Sequence, residues 1–350
     1  MSERYSRQIL LSEVGQAGQA KLTKSQVAIV GCGGLGSIAA TYLAGAGVGT
    51  ILLVDGDPPT VSNVHRQVLY TGNESQPKSE VLKHQLQALN PEIKVNTSPQ
   101  YLTKDNIDAV LTGVDLIMEC TDDIMCKYLV NDFAAIEQIP LVYGAIYKYE
   151  GYVSTFFNRQ ESDVHLRDVF PQPDETIPTC SEVGVLNTIA GLIGILQANE
   201  ALKVILGIGE PLIGKLLTYD CLTNRQLVLT MNKSWSEDMV ELFDRSSYLP
   251  LDCSMVPELS CDELDRDREK YTLVSVLSKE EHQAIDAQTL HTQKVKLEEI
   301  EKFSDGKPLV LYCKTGRVSK TLAAQLMEDN AEHKVYSLKG GLKGYRKYKS

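Results

Sequence analysis

Short apolar runs alternate with longer amphipathic stretches over the first 150 residues of the chain. The runs are VAIVG at 27–31, TILLVD at 50–55, a run near Lys94–Asn96, DLIMECTD at 115–122 and PLVYG at 140–144. Apolar runs of this length, separated by helical stretches, indicate parallel strands joined by crossover helices. The pattern predicts an α/β domain with a mostly parallel sheet.

The pattern changes after Tyr147. YEGYVSTFF at 149–157 predicts antiparallel strands, 158–179 a long surface loop, and LLTYDCLTNRQLVLTM at 216–231 a last strand pair. Between them, the apolar segment Val183–Leu206 predicts a core or subunit-interface helix rather than a membrane span. Its polar residues would be costly against lipid, and they are Asn187, Gln197, Asn199, Glu200 and Lys203.

A second alternating pattern near the end of the chain predicts a small α/β domain. Its apolar runs are TLVSV at 272–276, PLVLYC at 308–313 and KVYSL at 334–338, with a helix expected at about Ser319–Glu328. We place the first domain at residues 1–245, a linker at 246–257 and the second domain at 258–350.

Composition and charge narrow the class of protein. The chain has 350 residues, of which 43% are hydrophobic and 23% charged, as in a soluble globular protein. A formal net charge of -11 argues against nucleic-acid or anionic-membrane partners. The start MSERYSRQILL does not resemble a secretory signal, and eight cysteines without a C-x-x-C fit a reducing compartment, so we expect a cytoplasmic protein.

The first candidate site is a glycine turn between a predicted strand and a predicted helix. Gly31, Gly33 and Gly36 form G-x-G-x-x-G, which lets backbone N–H groups approach a phosphate. Asp55 ends the next strand and suits a ribose hydroxyl. On these residues alone, an NAD-dependent oxidoreductase is the natural alternative.

The stretch DGDPPTVSNVHRQ at 55–67 favours a nucleoside triphosphate with its metal. Asp57, Asn63 and Arg66 follow Asp55 closely, and Lys78 follows in QPK. Asp122 ends another strand, at the edge where ligands of such sheets bind, and its carboxylate suits Mg²⁺. The alternative for Asp122 is a helix N-cap.

Six ordered motifs then resemble one family, the bacterial E1-like HesA/MoeB/ThiF activating enzymes of the molybdopterin and thiamin pathways. Over about residues 1–230 they are RYSRQ, GCGGLGS, DGDPPTVSNVHRQ, QPK, CTDD and TCSEVGV. The resemblance implies a Rossmann-like E1 fold that binds ATP and Mg²⁺, with Asp122 as the Mg²⁺ ligand. The implied nucleotide-binding residues are Gly31, Gly33, Gly34, Gly36, Asp55, Asp57, Ser62, Asn63, Val64, His65, Arg66, Lys78, Asp122 and Asp123.

The resemblance also implies a mechanism in which a glycine carboxylate attacks the α-phosphorus of ATP. Arg66, Lys78 and Asp122 would act on the nucleotide, and Arg7 would reach the phosphates from the other subunit of a homodimer. The alternative is that Arg7 has no role in the reaction and is an exposed residue of an amphipathic helix. Asp123 stands where the family usually has Asn, which adds a negative charge near the phosphates.

Two further features of the family depend on residues near the long loop. Cys180 of TCSEVGV matches a cysteine that can bond covalently to the carrier, and the alternative is a small residue at a loop-to-helix junction. Many relatives hold a structural zinc with two C-x-x-C pairs. Here His165 and Asp168 stand at the first pair and nothing suitable stands near Lys233–Asp238, so we predict that the zinc is absent.

In the second domain, Cys313 begins the turn CKTGRVS, whose amides would stabilise an anionic sulfur. Residues 258–350 resemble rhodaneses, through this turn and through VYSLKGG. Ser275-Val276-Leu277 and Val318 depart from that pattern, so a protein persulfide is expected to load Cys313 in place of thiosulfate. A degenerate interaction domain is the alternative.

The leading hypothesis is a homodimeric adenylyltransferase for a small sulfur-carrier protein ending in Gly-Gly, the small subunit of molybdopterin synthase, with Cys313 passing on sulfur from a persulfide donor protein. The thiamin-pathway carrier is the nearest rival. An NAD-dependent oxidoreductase and a non-catalytic scaffold are more distant alternatives.

Overall fold

The chain folds into two α/β units, each built on its own sheet. The computed structural model describes residues 3–173, 184–246, 248, 255–277, 290–291, 306–329 and 334–349. Described residues up to 248 belong to the first unit, and those from 255 onward belong to the second.

The sheet of the first unit has its first five strands parallel and its last three antiparallel. They lie in the order β3-β2-β1-β4-β5-β6-β7-β8. The strand order reverses at β1, and ligands of such sheets bind beyond the carboxyl ends of the strands at this point. The strands are β1 (Gln26–Val30), β2 (Thr50–Val54), β3 (Lys94–Ser98), β4 (Leu116–Glu119), β5 (Leu141–Tyr147), β6 (Glu150–Phe156), β7 (Lys215–Asp220) and β8 (Arg225–Thr230).

Helices cover the sheet of the first unit, and the mostly parallel fold predicted from the apolar pattern is confirmed. Short 3₁₀ turns lie at Glu3–Tyr5 and Val61–Asn63. The helices are α1 (Ser6–Ile9), α2 (Gly15–Lys24), α3 (Gly36–Ala46), α4 (Lys78–Leu89), α5 (Ile107–Leu111), α6 (Ile124–Ile136), α7 (Leu166–Val169), α8 (Asn187–Leu206) and α9 (Met239–Arg245).

Helix α8 packs against α3 and the β5–β6 hairpin. By length and composition it could cross a membrane, but half of its apolar window is buried inside the unit. Gln197 Nε2 donates to Glu119 O at 2.8 Å, and the Glu200 carboxylate accepts from Thr155 Oγ1 and Leu212 N. Polar groups held in this way belong to a core helix, as the sequence predicted.

The second unit contains a parallel sheet with the order β11-β10-β12-β13-β9. Its strands are β9 (Glu258–Leu259), β10 (Thr272–Ser275), β11 (Leu290–His291), β12 (Leu309–Tyr312) and β13 (Val335–Leu338). Its helices are α10 (Cys261–Arg266), α11 (Arg317–Asp329) and α12 (Gly341–Lys349), with a 3₁₀ turn at Arg268–Lys270. The fully buried strand β12 leads directly to Cys313 and α11.

The carboxylate of Asp168, in α7, holds one corner of the first unit together. It accepts hydrogen bonds from the backbone N–H groups of His165, Ser234 and Trp235, at 2.9, 2.6 and 2.6 Å. Lys233 Nζ lies 3.6 Å away. Burial raises the pKa of Asp168, but these N–H groups outweigh burial and lower it below its usual value. The carboxylate therefore ties α7 to the segment that follows β8.

These donors do not fit a structural zinc. The described residues contain no group of three or more His, Cys, Asp or Glu that could hold a metal ion. At the corner itself, N–H groups occupy the Asp168 carboxylate and an ammonium group lies beside it. A tetrahedral site needs four donors, so this arrangement supports the predicted loss of zinc, which stays a prediction.

The next residue, Arg167, extends the same corner into the core. Its guanidinium pairs with the buried carboxylate of Asp132, with Nε and Nη2 at 2.8 and 2.6 Å from Oδ1 and Oδ2. It also lies over the rings of Tyr128 and Trp235, with its Cζ at 4.8 and 5.4 Å from the two ring centroids. Trp235 is the only tryptophan of the sequence, so its fluorescence reports on this corner.

His165 makes the stability of the first unit depend on pH. The side chain is buried, and burial together with the Lys233 ammonium lowers the pKa of His165 to about 4. The unfolded chain binds the proton near pH 6.5. The stability that neutral His165 provides is therefore present above that pH and falls as pH decreases from 6.5 towards 4.

We expect His165→Gln to reduce the pH dependence of folding, because an amide does not titrate. Between pH 7.5 and pH 5, the free energy of unfolding of the wild-type first unit should fall by about 2 kcal/mol more than that of the variant. Urea titrations followed by Trp235 fluorescence measure both values. Equal losses in the two proteins would contradict the assignment.

Candidate functional site

The glycine turn lies at the carboxyl end of β1, between Gly31 and the start of α3. Gly31 has φ 90°, and a Cβ there would lie 2.9 Å from the backbone of Cys120. A Cβ on Gly36 would lie 1.9 Å from Gly31 O. Gly33 and Gly34 are less restricted, since a Cβ would meet its nearest neighbour at 3.4 and 3.0 Å. The turn therefore brings the N-terminus of α3 to the switch point of the sheet.

Asp55 holds this turn from the end of β2. Its carboxylate accepts hydrogen bonds from Cys32 N at 2.8 Å and Asp57 N at 2.9 Å. Burial raises the pKa of Asp55, while Lys78 and the two N–H groups oppose that rise. The structure thus assigns Asp55 a contact that the sequence did not predict, in addition to the ribose contact expected from its position.

Asp57 and Lys78 lie together at the same edge. Lys78 Nζ is 3.4 Å from Asp57 Oδ2, and Lys78 is buried at the start of α4. The hydroxyl of Tyr101, which follows β3, also donates to Asp57. Sequence reasoning missed Tyr101, although it follows a strand that ends at the same edge and its side chain is exposed.

Residues 61–67 form a tight segment that begins with a 3₁₀ turn. Asn63 O accepts hydrogen bonds from Arg66 N and Gln67 N at 3.1 and 2.9 Å. Ser62 and His65 are exposed, while Asn63, Val64 and Arg66 are half-buried. Gln67 was not among the predicted residues, yet it is buried and its Oε1 has no hydrogen-bond partner within the described part of the chain.

The two neighbouring acidic residues after β4, Asp122 and Asp123, have different contacts. The Asp123 carboxylate accepts from Cys126 N at 3.0 Å and caps α6. Asp122 is exposed and makes no described hydrogen bond, so the alternative that Asp122 is the N-cap is wrong. The N-cap is its neighbour, Asp123. Asp122 keeps an oxygen donor of the kind that Mg²⁺ binds.

A buried ion pair supports this turn from beneath. Lys127 Nζ donates to the Glu119 carboxylate and to Gly144 O, the latter at 3.1 Å. Thr121 donates to the same carboxylate through its N–H at 2.8 Å and its hydroxyl at 2.5 Å. Burial lowers the pKa of Lys127, but the Glu119 charge outweighs it and the net pKa is raised. Burial also raises the pKa of Glu119, while the Lys127 ammonium and the Thr121 donors oppose that rise. The contacts of the pair fix the approach to Asp122.

Two predicted residues are not brought to this edge by described contacts. Arg7 lies in α1, is exposed and forms no described hydrogen bond or ion pair. Cys180 lies outside the described residues. A homodimer contact by Arg7 and a covalent role for Cys180 thus stay predictions.

Cys313 lies in the second unit, at the carboxyl end of β12. Its Sγ accepts a hydrogen bond from Gly316 N at 3.1 Å, and its carbonyl accepts one from Leu342 N at 2.8 Å. A Cβ on Gly341 would lie 2.4 Å from Cys313 O and 2.6 Å from Gly316 N. The Gly-Gly turn before α12 therefore packs directly on the loop that holds the thiol.

The carboxyl ends of β1, β2 and β4 form the candidate nucleotide edge of the first unit. This edge and the cysteine loop of the second unit are the features expected of an adenylate-forming enzyme with a sulfur-handling domain. The ThiF family matches residues 5–238, and the rhodanese-like domain matches residues 262–348. The chain belongs to the ThiF family. The predicted E1-like fold and rhodanese-like domain are confirmed.

Related proteins whose names state an activity indicate the reaction as well as the family. A sulfur carrier protein adenylyltransferase of Thermus thermophilus is 42% identical over 238 residues, covering 66% of this chain and 88% of the relative. A probable adenylyltransferase/sulfurtransferase MoeZ of Mycobacterium tuberculosis is 33% identical over 364 residues, covering 98% and 92%. Escherichia coli MccB with ATP matches in fold, with TM-score 0.57, 22% identity and 67% and 72% coverage. The chain is an adenylyltransferase, which uses ATP, and its second domain supports sulfurtransferase activity.

We expect Lys127→Met to destabilise the first unit by about 3–5 kcal/mol, because Glu119 would be left buried without its cation. The double variant Lys127→Met with Glu119→Gln removes the isolated charge and should recover at least half of the loss. Urea unfolding followed by Trp235 fluorescence gives both values. The exposed Lys24→Met is the matched control, and equal stability of the single variant and this control would contradict the assignment.

Proposed function

We propose that this enzyme adenylates the C-terminal glycine carboxylate of a small ubiquitin-like sulfur-carrier protein, the small subunit of molybdopterin synthase, and that Cys313 delivers sulfur to it. The observation that carries the proposal is the fusion of the two units in one chain. Adenylate and persulfide are consecutive reagents in the formation of a thiocarboxylate. The thiamin-pathway carrier is the second candidate.

The residues of the nucleotide edge suit the first step. The carrier carboxylate attacks the α-phosphorus of ATP, and pyrophosphate leaves with its charge. Arg66 and Lys78 supply positive charge at the phosphates, and Asp122 would hold Mg²⁺, which neutralises the departing group. Catalysis comes from positioning and charge neutralisation, because no side chain needs to form a bond to the nucleotide.

In the second step, the terminal sulfur of a Cys313 persulfide attacks the acyl-adenylate carbonyl and AMP leaves. The product is an acyl disulfide. A thiol attacks the Cys313 sulfur of its S–S bond, the thiocarboxylate leaves, and a second thiol frees Cys313 from the resulting mixed disulfide. A persulfide donor protein then transfers its outer sulfur to Cys313 and leaves as a thiol. The hydrogen bond from Gly316 N to Sγ supports this role, since it favours an anionic sulfur.

We also propose a homodimer, which the surface of the first unit and the predicted role of Arg7 support. The outer side of α8 exposes Ile195, and Leu186 just before the helix is also exposed, each with 39% of its surface accessible. Apolar residues on a long helix are typical of subunit interfaces. Arg7 is exposed and lacks a described partner in its own chain, as a residue that acts on the neighbouring subunit requires.

ATP–pyrophosphate exchange tests the activity and names the carrier. We expect Mg²⁺-dependent exchange with a molybdopterin-type carrier ending in Gly-Gly, and none when its last glycine is removed. Cys313→Ala should keep the exchange and lose thiocarboxylate formation, because it alters the second step alone. Exchange with the thiamin-pathway carrier alone would transfer the proposal to that pathway, and no exchange with any carrier would refute it.

Mixed dimers test whether Arg7 acts across an interface. Arg7→Ala and Asp122→Ala should each abolish exchange when pure. After unfolding and refolding together in equal amounts, half of the dimers are mixed and each contains one intact site, so about a quarter of the wild-type rate should return. A mixture that stays inactive would show that Arg7 serves its own chain or neither.

A further inference from the structure

Two buried serine hydroxyls lie beside the sulfur of Cys313. Ser319, in the first turn of α11, places its Oγ 3.6 Å from Cys313 Sγ. Ser337, on β13, places its Oγ 2.9 Å from Ser319 Oγ. Both serines are fully buried, and Cys313 is nearly so. The three side chains form a line that leads from the strand β13 to the sulfur.

The carbonyl oxygen of Gly316 limits how many of these hydroxyl groups can donate to it. It receives the helix N–H of Lys320 at 3.1 Å, Ser319 Oγ at 3.1 Å and Ser337 Oγ at 3.2 Å. A carbonyl oxygen has two lone pairs, so three donors exceed its capacity. At least one hydroxyl therefore turns to another acceptor. The two hydroxyls can donate to each other, and Ser319 also reaches Cys313 Sγ.

We propose that Ser319 donates its hydroxyl proton to the anionic sulfur of Cys313, and that Ser337 is a positioning residue that holds Ser319 in this orientation. This inference rests on the proposed role of Cys313. Together with the Gly316 N–H, the Ser319 hydroxyl gives the sulfur two neutral donors. Val318 stands where the rhodanese pattern has a second arginine, so neutral donors take over part of the stabilisation of the charge.

The two hydroxyl groups can adapt to the charge on the sulfur by rotating their O–H bonds, without movement of heavy atoms. When the sulfur is anionic, Ser319 donates to Sγ and Ser337 donates to Ser319 Oγ. When the sulfur is protonated or capped, the Ser319 proton turns to Gly316 O or Ser337 Oγ, at 3.1 and 2.9 Å. The same three residues thus satisfy both states of the sulfur inside a closed interior.

Alkylation of Cys313 by iodoacetamide tests the proposal on the full chain. The rate is measured from pH 5 to pH 10 by mass spectrometry of the peptide that contains Cys313. The position of the pH profile reports ionisation, whereas the plateau at high pH reports access. A merely structural effect of a substitution changes the plateau and leaves the position unchanged.

We expect Ser319→Ala to move the profile to higher pH and to lower the rate at pH 7 by about five- to tenfold. Ser337→Ala should lower it by about two- to threefold, and Ser319→Thr, which keeps the hydroxyl, should stay within about twofold of wild type. Thr321→Val is the matched control, because it removes another buried hydroxyl of α11 that makes no described hydrogen bond to the sulfur.

An unshifted profile in Ser319→Ala would overturn the proposal, as would an equal shift in Thr321→Val. If Ser319→Ala does not fold, as judged by circular dichroism, the comparison of Ser337→Ala with Ser319→Thr tests the proposal. A shifted pH profile in Ser337→Ala and an unshifted one in Ser319→Thr would support it, and the reverse would refute it. Alkylation needs no ATP, carrier or sulfur donor. Its result therefore stands apart from the Cys313→Ala experiment, which tests sulfur transfer itself.

Discussion

The buried ion pair between Glu119 and Lys127 is the interaction on which the candidate nucleotide edge depends. It joins the end of β4 to the first turns of α6, reaches β5 through Gly144 O, and meets α8 where Gln197 bonds Glu119 O. Both side chains are buried, so the charged form of each depends on the other. The turn that carries Asp122 takes its geometry from this pair, although neither member touches solvent at the site.

The strands, the glycine turn and the family could be read from the sequence because each depends on residues that are close together in the chain. Gly31 and Gly36 are needed within one turn, and the apolar runs directly record burial on both faces of a parallel sheet. The choice between Asp122 and Asp123 as the N-cap could not be made in this way. It depends on where α6 begins, and the structure places that start one residue later.

Other features were out of reach because their partners are far apart in sequence. Asp168 bonds Ser234 and Trp235 across 66 and 67 residues, and Tyr101 reaches Asp57 across 44. No local pattern marks such pairs. The same holds for Ser319 and Ser337, 18 residues apart on different elements. Ser337 is a polar residue in the apolar run VYSL, but that signal does not name a partner.

The corner around Asp168 has a consequence for the supply of the enzyme in the cell. It is closed by a carboxylate, an ammonium group and backbone N–H groups, all of which are part of the polypeptide itself. The predicted absence of zinc would then mean that its completion needs no trace element from the medium. In that case, the amount of folded first unit would follow the rate of protein synthesis under scarcity of metal.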